Sequence, residues 1–197
     1  MESLLAGKQA KILSTREVGQ IIAHLENHRY PLRNKVMVLL SVKAGLRAKE
    51  IFHLTWSMVT DASNQIDDTL RLPDNASKGK SGRVIPLNQQ LKQALIELYK
   101  KEPPTPDQHI IRSERGEKML PCNISHWFKG VYRALRLDGC SSHSGRRTFV
   151  TTAARRIVEV GGSLRDVQQL AGHASLQQTQ NYIEGDAEAK RKVVDLI

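Results

Sequence analysis

Cysteine is nearly missing. Cys122 and Cys140 are the only two in 197 residues. This excludes a disulfide scaffold and fits a reducing, cytoplasmic setting. The two also lack the close spacing of metal ligands. No apolar run approaches the roughly 18 residues of a membrane span. Met1-Glu2-Ser3-Leu4-Leu5-Ala6-Gly7 lacks the basic start and apolar stretch of a secretion signal. There is no nucleotide-binding glycine loop: Lys78-Gly79-Lys80-Ser81-Gly82 lacks the first glycine of that pattern. His24 and His28 stand four apart, as paired metal ligands can. No third ligand accompanies them, so a plain helix face is the expected reading. Neither a metal nor a cofactor is expected. Negative charge is the scarce sign: 20 Asp+Glu face 30 Lys+Arg, for a net charge of +10 and a pI near 9.8. That balance suits a polyanionic partner without establishing one. What remains is ordinary: 40% hydrophobic and 25% charged residues, enough to bury a core, at a length suited to one domain.

The positive charge is concentrated. Between Lys129 and Arg165 stand eight basic residues against Asp138 and Glu159. Between Arg71 and Arg83 stand four against Asp74. The element pattern predicts a mainly α chain with a small antiparallel β-sheet. Ser14-Thr15-Arg16-Glu17 reads as a capping box opening a first helix with Val18, Ile21, Ile22 and Leu25 on one face. Tyr30-Pro31 separates it from a second helix that stops at Gly45, and Arg47 to Leu54 is a short third. Ile66 to Leu72 and Arg83 to Pro86 are strand-like, in a sheet of two or three strands. Asn88 can cap the next helix, which Pro103-Pro104 closes. Ile124, Trp127, Phe128, Val131 and Leu135 form the apolar stripe of another. A helix over 145–160, a capped one from Ser163, a short one from Ser175 that holds Tyr182, and a last one from about Ala187 complete the chain. We expect a single domain over 1–197, with residues 1–13 an extended or flexible lead-in and 186–197 a tail helix.

Several polar residues sit in unusual settings. Arg47 follows a glycine stop. His143 and Arg146 are spaced for one helix face. His173 lies in a turn between helices, Tyr182 follows nine positions later, and Lys78 is in the loop of the sheet. Singly each has an ordinary reading: a surface arginine, a packing tyrosine, a solvated lysine, a histidine at a helix end. Together they suit phosphodiester chemistry. Two arginines can grip a phosphate and stabilise its extra charge in the transition state. A tyrosine hydroxyl can attack and conserve the bond energy in a covalent link. Histidine can carry the proton and lysine can protonate the departing oxygen.

In order along the chain, these segments resemble the catalytic domain of the tyrosine recombinase (phage integrase) family. Ala44-Gly45-Leu46-Arg47-Ala48-Lys49-Glu50-Ile51 is similar to its first-arginine motif, in which the glutamate is structural. Ser77-Lys78-Gly79-Lys80 through Val84-Ile85-Pro86-Leu87 is similar to its lysine-bearing hairpin. His143-Ser144-Gly145-Arg146, Leu170-Ala171-Gly172-His173 and Thr179-Gln180-Asn181-Tyr182 complete the set, and the similarity runs from about Ile12 to Gly185. The resemblance implies cleavage and rejoining of DNA strands through a 3′-phosphotyrosyl link, with Arg47, Lys78, His143, Arg146, His173 and Tyr182 as the catalytic residues. Lys78 is preferred to Lys80 as the acid. Lys80, Arg83 and Arg147 are the expected further DNA contacts. Double-stranded DNA is the implied partner. The implied assembly is a homo-tetramer on paired sites, monomeric without DNA, with a possible accessory DNA-bending protein and exchange of the segment 186–197 between neighbours.

Three departures from the family pattern stand out. Arg147 occupies a position where histidine is common. The stretch between Arg146 and His173 is about four residues longer than typical, close to one helical turn. The usual N-terminal DNA-clamping domain is not in this sequence, as expected either of a small family member without it or of a fragment of something longer; both imply weak, salt-sensitive binding by this chain alone. The other readings of the same residues are a non-catalytic DNA-binding module and a type IB-like topoisomerase.

Overall fold

The chain wraps around one helix, α2 (Pro31–Lys43), in which every residue from Val36 to Val42 is buried. A helix without a polar face must be enclosed on all sides, and α1 (Thr15–Glu26), α4 (Gln89–Lys101) and α6 (Ser144–Arg156) enclose it. The computed structural model describes residues 9–76, 82–101, 103–114, 116, 118–182 and 194–195. The contact with α6 is close at Gly145, where a Cβ would overlap Ser41 Oγ on α2. α1 opens on the predicted capping box. Ser14 Oγ accepts the Glu17 N–H at 3.2 Å, and the Glu17 carboxylate accepts the Ser14 N–H at 2.7 Å.

After α2, Gly45 takes φ +66°, a left-handed conformation that glycine adopts without strain. A Cβ there would also meet the Phe149 ring of α6. The turn starts α3 (Ala48–His53) with Arg47 at its N-cap position. A two-stranded antiparallel hairpin follows, β1 (Thr69–Leu72) with β2 (Arg83–Pro86), in the register Thr69↔Pro86 to Leu72↔Arg83. β1 is shorter than the strand expected from Ile66, because Ile66 makes only an isolated bridge to Thr60 and the Asp67 N–H turns to Val59 O. Leu70, Leu72 and Ile85 face the core, with Leu91 and Leu95 of α4 and Ile124 and Phe128 of α5 (Pro121–Ala134). The Pro103–Asp107 region is tied back through Ser57 N–H to Pro106 O and Ile110 N–H to Leu54 O.

The helix expected over 145–160 ends at Arg156. Residues Ile157–Val160 form a 3₁₀ turn, and Gly161 at φ +75° reverses the chain. α7 (Leu164–Ala171) then starts on its capping box and ends at Gly172, with φ +61°. α8 (Leu176–Gln180) is short, and Tyr182 lies two residues beyond it rather than within it. These last elements build a second, smaller core: Val150, Val167 and Ala171, with Phe149, Ala153, Ile157, Leu164 and Tyr182 against it. Residues 9–13 are stitched to the body. Lys11 N–H donates to Gly139 O, Leu13 N–H donates to Thr148 Oγ1 at 2.8 Å, and Leu13 itself is buried. The expected tail helix from Ala187 lies outside the described residues but for 194–195. No helix among the described residues is long and apolar enough to cross a membrane.

Candidate active site

Four elements deliver side chains to one cavity of about 370 Å³, lined by Arg47, His143, Arg146, Arg147 and Tyr182 with Gln9, Ala10 and Asn181. The Gly45 turn brings Arg47. His143 stands at the N-cap of α6, exposed, and Arg146 three positions on is 2% exposed. The predicted shared face of His143 and Arg146 is therefore the cavity wall. Beyond the end of α8, the Tyr182 N–H donates to Thr179 O and its carbonyl accepts from Thr151 Oγ1 at 3.3 Å. His173 is not in the lining. It lies behind Tyr182, the two rings stacked at 5.3 Å between centroids and 22° between planes. Lys78 and Lys80 lie outside the described residues.

Buried cations are held by carbonyls and one carboxylate. Arg146 Nη1 donates to Gly45 O and Nη2 to Ala171 O, each at 2.7 Å. Glu50 is 0% exposed. Its Oε2 accepts the Arg47 N–H at 2.8 Å and its Oε1 accepts from Arg47 Nη1 at 3.2 Å. Burial pushes the Glu50 carboxyl up, but the hydrogen bonds and charge of Arg83, with Arg47 and Arg146, hold it below its ordinary value. The structural role implied for Glu50 thus has a geometric basis. The Arg83 side chain, expected on the DNA, is 5% exposed and is bonded to Glu50 and the Leu170 carbonyl. Arg147 lines the cavity and donates to Ala10 O at 2.9 Å.

Arg146 is pushed down to about 10, by burial first and then by the Arg47 charge. Among the described residues no carboxylate lies within ion-pair distance of it. Arg47 and Arg146 present donors to the same space, an arrangement that can bind an anion. His173 is pushed down to about 4 by burial, then by Arg146, Arg47 and Arg83, so at neutral pH its ring is uncharged. Its Nδ1 lies 2.9 Å from Thr179 Oγ1, and Gln168 brackets its backbone, Nε2 to His173 O at 3.1 Å and O from His173 N–H at 3.1 Å. Neither Thr179 nor Gln168 carries a sequence signal of this task. A stability effect follows from the His173 shift. As pH falls, the unfolded chain takes up this proton near 6.5 and the folded chain only near 4. The contribution of the neutral ring is complete above 6.5 and is lost between there and 4, by up to about 3 kcal/mol. Denaturant unfolding of wild type and His173→Gln across pH 4–7 checks this. A stability difference that stays constant over that window contradicts it.

Among the described residues no group of three His, Cys, Asp or Glu side chains could hold a metal ion. His24 and His28 pair with each other, Nε2 to Nε2 at 3.1 Å.

A mostly helical body with one hairpin, converging two arginines, a histidine and a tyrosine on a cavity, defines the catalytic-domain fold of tyrosine recombinases. The solved structures share it. XerA recombinase superposes with a TM-score of 0.72 at 20% identity over 98% of this chain and 65% of that one. The Tn1549 transposon integrase, in complex with circular intermediate DNA, gives 0.71 at 18% identity over 100% and 70%. The phage integrase family profile matches residues 11–189, and this chain belongs to that family. Tyrosine recombinase XerC of Rhizobium meliloti is 32% identical over 193 residues, 94% of this chain. The chain spans 57% of that protein's length.

Proposed function

We propose that this chain cleaves and rejoins DNA strands at specific sites. The observation that carries the proposal is the single cavity lined by Arg47, His143, Arg146 and Tyr182. Tyr182 Oη attacks the scissile phosphorus, the bond to the 5′ oxygen breaks, and a 3′-phosphotyrosyl link remains. Arg47 and Arg146 bind the non-bridging oxygens and stabilise the added charge. Lys78 gives its proton to the departing 5′ oxygen, while His143 and the neutral His173 assist removal of the phenol proton. A 5′ hydroxyl from a partner duplex reverses the attack. No metal or cofactor enters this scheme, because cationic side chains supply the charge. The partner is double-stranded DNA, a reading supported by the Tn1549 integrase being in complex with circular intermediate DNA. The working assembly is a tetramer on paired sites, formed from monomers, with the segment 186–197 passed to a neighbour, and the setting is cytoplasmic.

The test is a pool of nicked duplexes of random sequence. Wild-type chain should trap itself covalently on a subset sharing one site, with the adduct mapping to Tyr182. No adduct, or an adduct at another residue, overturns the proposal. Binding without adduct marks a DNA-binding module, and plasmid relaxation without a shared site marks a topoisomerase.

A further inference from the structure

Arg83, the first residue of β2, points inward. Nη1 and Nη2 donate to the two Glu50 oxygens at 2.9 and 3.2 Å, and Nε donates to Leu170 O at 2.9 Å. We propose that Arg83 is a positioning residue of the cleavage reaction: by gripping Glu50 and the end of α7 together, it sets where Arg47 and His173 stand against the scissile phosphate. This rests on the DNA-cleaving reading above.

The first argument concerns Glu50. One carboxylate is shared by two guanidinium groups. Arg83 takes both oxygens, while the Arg47 side chain keeps one longer contact of 3.2 Å on Oε1 and stays 26% exposed in the cavity. Paired forks of this kind are the strongest and most directional ion contacts. Without Arg83, the nearest cation left to Glu50 is Arg47. The carboxylate would then turn to Arg47 and cancel the charge that the phosphate needs. With Arg83 in place, three cations (Arg47, Arg83 and Arg146) stand against one anion.

The second argument concerns α7. The last carbonyls of a helix have no partner within it. Here the two consecutive ones are taken by two arginines from different elements, Leu170 O by Arg83 and Ala171 O by Arg146. The next two residues are Gly172 and His173. A Cβ on Gly172 would lie 2.8 Å from Arg83 Nη1, so the backbone turn that presents His173 lies directly against this guanidinium. Three of the five Arg83 donors are thus spent inside the protein, and the side chain is 5% exposed. That leaves little of it for DNA.

The experiment uses the full chain as wild type, Arg83→Lys and Arg83→Met, on the duplex that wild type selects. Three quantities are read: DNA affinity with its salt slope, adduct rate at saturating DNA, and titration of the Glu50 carboxyl by carbon NMR. Affinity should stay within about threefold with an unchanged salt slope. The adduct rate should fall about 100-fold in Arg83→Met and by less in Arg83→Lys, which keeps the charge but not the fork. Glu50 should titrate higher in Arg83→Met. Affinity lost with the salt slope reduced by about one, and a wild-type rate once DNA saturates, makes Arg83 a DNA contact and overturns the proposal. If Arg83→Met does not fold, a folded Arg83→Lys reacting at the wild-type rate overturns it equally. Should wild type itself form no adduct, the DNA-cleaving reading fails, and with it any role for Arg83 at a phosphate. An unshifted Glu50 in Arg83→Met then also removes the grip.

Discussion

Tyr182→Phe is expected to abolish covalent trapping on nicked DNA while leaving fold and DNA binding intact. The chain holds four tyrosines, and three lie away from the cavity of Arg47 and Arg146. Tyr132 is 3% exposed and burial pushes its hydroxyl well up. Tyr99 packs edge-on against Trp56, 5.2 Å between centroids. Tyr30 is flanked by Arg29 and Arg33 at the end of α2 away from Gly45. Only Tyr182 lines the cavity. Phenylalanine keeps the ring that stacks on His173, and the bond from Thr151 goes to the main-chain carbonyl, so stability should change by no more than about 0.5 kcal/mol. Loss of a covalent nucleophile removes the reaction path itself, so the adduct rate should fall by on the order of 10⁴-fold or more. Gel-resolved adduct per unit time, beside a thermal melt and a DNA titration, checks all three. Adduct persisting in the variant would falsify the assignment of the nucleophile.

Much of this site could be read from the chain because its chemistry is carried by local patterns. A glycine stop before Arg47, a His-x-x-Arg spacing, and a glycine before His173 are each visible over a few residues. Arg47, His143, Arg146 and Tyr182 do share one cavity. Pairings across the fold were not visible. Arg83 lies in a basic stretch and therefore reads as a DNA contact. That it meets Glu50 depends on a separation of 33 residues, closed only when the hairpin docks beside α3. One hint was available: a glutamate at an arginine-capped helix start is a charge that burial would leave half-paired. The end of α6 was misplaced for a different reason. Ile157, Val158 and Val160 continue an apolar pattern, yet Val158 and Val160 are 70% and 79% exposed. The paired glycines Gly161-Gly162 outweigh that pattern, and Gly162 N–H closes the turn on Ile157 O. Likewise, nothing local announces that Thr179 will meet His173 Nδ1, because the turn at Gly172 must first fold α8 back beside α7.

Arg146 should show the second large effect, in stability and rate together. Its two carbonyl partners belong to different parts of the fold: Gly45 O to the turn that presents Arg47, and Ala171 O to the end of α7 that presents His173. Arg146 is thus a tether between those parts and, in the proposed reaction, a phosphate ligand. The two bonds use two of its five donors, and its side chain lines the cavity, so donors remain for an anion. Arg146→Ala leaves two buried carbonyls unpaired and a void behind them, at a cost of about 3–5 kcal/mol. For a chain of this size that is a fall in Tm on the order of 10 °C. Arg146→Lys keeps the charge, but a single ammonium cannot span both carbonyls. It should fold with a smaller loss and still slow adduct formation by about 10²–10³-fold at saturating DNA, the usual effect of losing one charge-stabilising donor. Thermal melts and single-turnover trapping at a temperature where each variant is fully folded separate the two roles. A folded Arg146→Lys that traps DNA at the wild-type rate would reduce Arg146 to a tether and leave Arg47 alone on the phosphate.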